Sequence, residues 1–193
     1  MITYLKWLML LFISGLFALG GICMHKLTSA PRNEHFSSFI KNIQNKPMLV
    51  VWVNGSCPLS RQYAPHLKHC ISIAKGHQWN TLLISVNDSV CDPLFQDLKA
   101  EYYRQDVHGT LAQRFNISVI PSVMVYRNTP VWQEPTASLA YRAAIDNWAW
   151  ETGKHRLAAT EHYLVDAMTS MASGKNIEKA HTKSYGCFIE INQ

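Results

Sequence analysis

"KPMLVVWVNGSCPLSRQYAPHL", residues 46–67, carries the fold of this chain. Residues 47–53 are a continuous apolar run rich in β-branched side chains, the pattern of a strand buried on both faces. A short turn follows, then Cys57 and Pro58. Proline at the first helical position is pre-set for a helix, and Gly76 suits its end, so the spacing predicts a helix from Pro58 to about Lys75. Cys57 therefore stands at the mouth of a helix.

The same strand-and-helix grammar continues outward. "NTLLISVN" (80–87) reads as a second buried strand. Asp92 and Pro93 form an N-cap and first helical residue, and Leu94, Leu98 and Tyr102 share a face of the helix that should follow. Residues 109–128 predict a short helix, then Ile120–Pro121, then a strand. Pro135 breaks the chain, and "ASLAYRAA" (137–144) is the next strand candidate. A last helix is expected over 155–173, with Leu157, Leu164, Met168 and Met171 inward, followed by a tail containing "YGCFIEI" (185–191). Upstream, 25–33 reads as a polar linker, and 33–46 as a short amphipathic helix through Phe36, Phe39, Ile40 and Ile43. This alternation predicts an α/β domain with parallel pairing in its first half.

Trp7 to Met24 is an uncharged apolar run long enough for a transmembrane helix. Lys6 precedes it and His25, Lys26 and Arg32 follow, so the positive-inside rule sets the orientation weakly. Signal cleavage after Ala30 would place Pro31 at the cut, and Ile22 before Cys23 does not fit a lipobox; an uncleaved anchor is the expectation. The domains expected are thus an anchor and linker (1–30) and a folded domain (31–193). Net charge is +5, of which Lys6 and Lys26 supply two, and no basic block alternates with aromatics, which argues against nucleic acid as a partner. Five cysteines are too few for a disulfide scaffold, although an exported domain would permit pairing.

Two stretches, "KPMLVVWVNGSCPLSRQYAPHL" and "LAQRFNISVIPSVMVYRN" (111–128), resemble the two signatures of the thioredoxin-like superfamily, in the right order and about sixty residues apart. The resemblance implies a thioredoxin-like fold, here with an N-terminal transmembrane helix, and a cis Ile120–Pro121 bond facing Cys57. The Cys-Pro-x-Ser motif, "PHL" at 65–67 and "GCF" at 186–188 are similar to a group of bacterial membrane-anchored thioredoxin-like proteins without an assigned reaction. Such a resemblance implies a single-pass inner-membrane protein with its domain in the periplasm. Ser60 stands where the resolving cysteine of a dithiol enzyme would be, Ser56 replaces the preceding tryptophan, and Val51 the buried aspartate.

What a lone cysteine can do there follows from electrostatics. Unpaired N–H groups and the positive dipole end at a helix start stabilise a thiolate. The thiolate attacks a disulfide and forms a mixed disulfide. Ser60 could hydrogen-bond the thiolate but cannot resolve the adduct. The expectation is a monothiol (CxxS) thiol–disulfide exchange protein acting on protein or small-molecule thiols and disulfides, through Cys57, Ser60 and a groove shaped by Pro121. Cys187 in the tail and Cys91 are the candidate resolving thiols; Cys70 lies about 20 Å along the helix, beyond disulfide reach, and reads as core.

Three other readings remain open. A thioredoxin-fold scaffold would use the groove without thiol chemistry. A metallochaperone would draw on His66, His69 and Cys70 at helical spacing, but lacks a close cysteine pair, so neither metal nor cofactor is expected. A peroxidase would carry a proline before its cysteine, absent from "VNGSC". Trp132, Trp148 and Trp150 are groove or core candidates.

Overall fold

A computed structural model describes residues 45–88, 92–128, 134–151 and 153–190. The segments read as anchor, linker and amphipathic helix up to residue 44 lie outside the described residues, as do Cys91 and Trp132. Among the described residues, no helix is long and apolar enough to cross a membrane.

The apolar run of the opening motif forms β1 (Met48–Val53), with every residue buried. It is the middle strand of a five-stranded sheet. β2 (Asn80–Val86) pairs with β1 in parallel, and β3 (Tyr102–Asp106) pairs with β2 in parallel. On the other side, β5 (Ser122–Tyr126) and β6 (Leu139–Ala143), which follow the two-residue strand β4 (Val119–Ile120), add antiparallel strands. The order is β3-β2-β1-β5-β6.

Period-two alternation sorts β1 between two layers. Leu49, Val51 and Val53 face α1 (Pro58–Gly76), which returns Tyr63, Ala64, Leu67, Cys70, Ile71 and Ala74 into the same cluster. Helix α4 (Tyr163–Ala172) adds Leu164, Ala167 and Met168. Trp52 points the other way and packs on Phe115, which directly follows α3 (Thr110–Arg114), with ring centroids 5.4 Å apart. Val51 is thus an ordinary core residue beneath α1.

Two expectations are corrected. The helix opened by Asp92 and Pro93 is only the single turn α2 (Pro93–Gln96); Lys99 adopts φ +55°, which ends any helix, and Tyr102 begins an edge strand. The last helix begins at Tyr163, not 155. The preceding residues turn back in a short antiparallel pair, β7 (Ala149–Glu151) with β8 (Lys154–His155), and Leu157 is fully exposed at 105 %. Trp148 packs edge-on against Tyr63 at 5.3 Å and stacks on His155, while Trp150 sits at the surface.

After α4 the chain runs back along the outer edge of β6. Arg142 N–H donates to the Ala180 carbonyl (3.1 Å), and Ala144 N–H donates to the Thr182 hydroxyl (3.0 Å). The tail then crosses to β4 and pairs with it as β9 (Cys187–Phe188), antiparallel, with Ile120 opposite Cys187 and Val119 opposite Phe188.

Candidate active site

The sheet ends place four elements around Cys57: the turn after β1, the start of α1, the loop joining β4 to β5, and the tail strand β9. Cys57 is the N-cap of α1, with extended φ/ψ, and its sulfur lies 3.5 Å from the Ser60 N–H, which points at it. No acidic residue occupies the first turn of α1 to cancel the positive end of the helix dipole.

Asn54 builds the turn. Its side-chain oxygen accepts the N–H groups of Ser56 (2.7 Å) and Cys57 (3.0 Å) and the Ser56 hydroxyl. Its amide donates to the Val86 carbonyl (2.6 Å) at the end of β2 and to Asp88 (3.1 Å). Asp88 also takes the Gly55 N–H (2.7 Å) and the Ser85 hydroxyl. A β-carbon on Gly55 would come within 2.8 Å of the Asp92 carboxylate, which also receives Arg61 at 2.5 Å. The turn is therefore fixed from both β2 and the loop beyond it. Asn54 and Asp88 were not singled out from sequence; the buried, polar Asn54 at the end of a wholly apolar strand was the available signal.

Ser60 is fully buried, and its hydroxyl accepts the Asn54 N–H (3.3 Å). The group presented to the Cys57 sulfur is the Ser60 backbone N–H rather than its hydroxyl. The Ile120–Pro121 bond is cis, and the Ile120 carbonyl oxygen lies 3.6 Å from the Cys57 sulfur. Ser122, just beyond, donates its hydroxyl to the Val119 carbonyl (2.7 Å) and meets the Ser184 hydroxyl at 2.9 Å, tying the loop to the tail.

The lone-cysteine expectation changes most. Cys57 is bonded to Cys187, 130 residues later, with Cα atoms 6.1 Å apart. β9 pairs with β4, and this carries Cys187 across the cis-proline loop to the helix mouth. Gly186 permits the approach: a β-carbon there would stand 1.9 Å from the Ile120 carbonyl oxygen and 2.7 Å from its carbon. In "GCF", glycine allows contact, cysteine bonds, and Phe188 stands out at 74 % exposure. A cleft of about 320 Å³ remains beside the disulfide, lined by Asn54, Ser56, Cys57, Ile120, Cys187 and Phe188 among others. Cys57 itself is only 3 % exposed, covered by this polar turn and by the tail.

Cys70 is a free, buried thiol, and burial pushes its pKa up to about 12, with the Asp146 carboxylate adding to the shift. It takes no part in the site. Among the described residues, no group of three or more His, Cys, Asp or Glu side chains gathers to hold a metal.

The β3-β2-β1-β5-β6 sheet, the α1 cysteine and the cis-proline loop together are a thioredoxin-like fold. Among solved structures, the chain is similar to a hypothetical protein from Sinorhizobium meliloti 1021 (19 % identity, TM-score 0.59, covering 81 % of this chain and 84 % of that one). It is also similar to an uncharacterized conserved protein from Geobacillus kaustophilus (13 % identity, TM-score 0.54, covering 77 % and 78 %). No curated protein matches. The family model described as "TraF: F plasmid transfer operon protein" matches residues 24–136, more than half of the sequence, and the chain belongs to that family.

Proposed function

We propose that this protein is a membrane-tethered thiol–disulfide exchange protein of the periplasm whose working pair is Cys57 and Cys187. The observation that carries the reading is the second sulfur at the helix mouth: Cys57, N-cap of α1, is bonded to a cysteine held by strand pairing to the cis-proline loop. Once that bond opens, the Ser60 N–H and the helix dipole favour Cys57 as thiolate. Cys57 is then the nucleophile toward a partner disulfide, and Cys187 is the resolving thiol. Ser60 acts through its main chain, and cis-Pro121 shapes the groove. The tether is the uncharged run Trp7–Met24.

Trapping tests this function. A Cys187→Ala chain should accumulate mixed disulfides through Cys57 in cells, and a Cys57→Ala chain should accumulate none. Absence of adducts in both, with both proteins folded and abundant, would sink the reading.

The near-complete burial of Cys57 favours one rival, a scaffold in which the same bond is a fixed staple. A staple resists the glutathione pool and leaves function intact when both cysteines are replaced together. An exchange pair equilibrates with that pool, and function is lost.

A further inference from the structure

Within "SYGCF" (184–188), Cys187 and Phe188 pair with β4 as an added strand, and Cys187 is bonded to Cys57. The pairing is reinforced just beyond Phe188. Ile189 N–H donates to the Ser118 carbonyl (3.0 Å), and the Asn87 amide donates to the Glu190 carbonyl (2.8 Å). The Ile120 carbonyl oxygen lies 3.6 Å from the Cys57 sulfur and is packed against Gly186, so it limits what can precede a cysteine bonded to Cys57. A β-carbon at that place meets main chain at 1.9 Å, and no rotamer change can relieve the clash.

From this we infer that Cys57 selects extended segments with glycine immediately before the cysteine, docked antiparallel on Val119–Ile120 in the register now held by the tail. The tail is thus a resident copy of the partner's binding strand. The inference rests on the exchange reading above and adds the partner's local sequence to it. Phe188, exposed beside the cleft, marks where an aromatic residue after the partner's cysteine would lie.

The steps balance. In the chain reduced by a dithiol, the Cys57 thiolate attacks the partner's disulfide. A Cys57–partner S–S bond forms, the partner's own S–S bond breaks, and its other sulfur leaves as thiolate. The tail then returns to β4. The Cys187 thiolate attacks the Cys57 sulfur, the Cys57–Cys187 bond reforms, and the second partner sulfur leaves as thiolate. The partner's disulfide has gained two electrons, and the protein's dithiol has lost them. Tail and partner compete for one strand position, so return of the tail both resolves the bond and expels the product.

The test uses the full chain carrying Cys187→Ala and two synthetic peptides, SYGCFI and SYACFI, each capped on its cysteine as a mixed disulfide with thionitrobenzoate. Attack by Cys57 on the peptide sulfur releases the coloured thionitrobenzoate thiolate, and mass spectrometry places the peptide on Cys57. The resident tail hinders both peptides equally, so their ratio reports the register alone. The glycine peptide should react at least tenfold faster. In a second variant, Gly186→Ala with Cys187→Ala, the tail cannot seat, and the glycine peptide should react faster still.

Equal rates for the two peptides would overturn the inference and leave the exchange reading standing. So would failure of both peptides in a protein whose Cys57 still reacts with a small aromatic disulfide. If Cys57 of the folded protein fails with the small disulfide too, the exchange reading and the inference fall together.

Discussion

Replacing Asn54 by alanine removes one side chain and five hydrogen bonds. Their costs differ. The Cys57 N–H keeps a second acceptor in the Asn54 carbonyl (3.2 Å), and the exposed Ser56 groups can turn to water, so these losses are small. The Val86 carbonyl belongs to a fully buried residue and loses its side-chain donor, at a cost of about 1–3 kcal/mol for an orphaned polar group. Loss of the bond to Asp88 and loosening of the turn add on the order of 1 kcal/mol. Asn54→Ala should therefore cost about 3 kcal/mol, read as a lower urea midpoint at unchanged slope in the oxidised chain. Asn54→Asp is the sharper variant. It preserves the acceptor for Ser56 and Cys57 but turns a carboxylate oxygen toward the Val86 carbonyl and Asp88. It should be at least as destabilising as alanine at neutral pH. An aspartate variant as stable as the parent would refute the claim that the amide's two donor bonds hold the turn.

The remaining predictions concern the core behind the site. Tyr63→Phe removes the hydroxyl that donates to Asp146 (2.6 Å) and accepts the Ala149 N–H (3.3 Å). Because the other Asp146 oxygen is buried without a partner, a loss of about 2–3 kcal/mol in urea unfolding is expected. Leu67, wholly buried under the sheet, should cost about 2–5 kcal/mol when cut to alanine, measured in the same way. The raised pKa of Cys70 means that its protonated form is favoured by folding. Its contribution is complete below pH 9 and is lost as pH climbs from 9 toward about 12. Burial raises Tyr63, Tyr126 and Tyr141 in the same sense, so the thiol's share is the reduction in alkaline sensitivity on Cys70→Ala, followed by stability against pH. In the native chain at pH 8, Cys70 should resist iodoacetamide and react only after unfolding, which peptide mapping checks.

The parts of the fold legible in the sequence are those specified locally. β1, α1 and β2 carry their own signals: an apolar run, a proline at the first helical turn, and a second apolar run. β3 was hidden because Leu94, Leu98 and Tyr102 mimic a helical face, and because an edge strand reading "YYRQD" is half-exposed and lacks alternation. Only the reversal at Lys99, a tertiary choice, separates the two. In the site, the helix-mouth cysteine could be read from one short segment. The partner sulfur could not be: Cys187 and Cys91 both stood as candidates, since pairing with β4 depends on the whole intervening sheet. The backbone role of Ser60 was equally invisible, because a sequence names side chains and leaves main-chain donors unspoken.

The distance along the chain between the paired sulfurs sets an order of events at birth. Cys57 leaves the ribosome 130 residues ahead of Cys187, an interval of roughly ten seconds at ordinary elongation speed. Throughout that interval every disulfide Cys57 forms with Cys187's future position empty is a bond to some other thiol, and closing the ring certifies that the polypeptide from helix mouth to final strand has been made and threaded home.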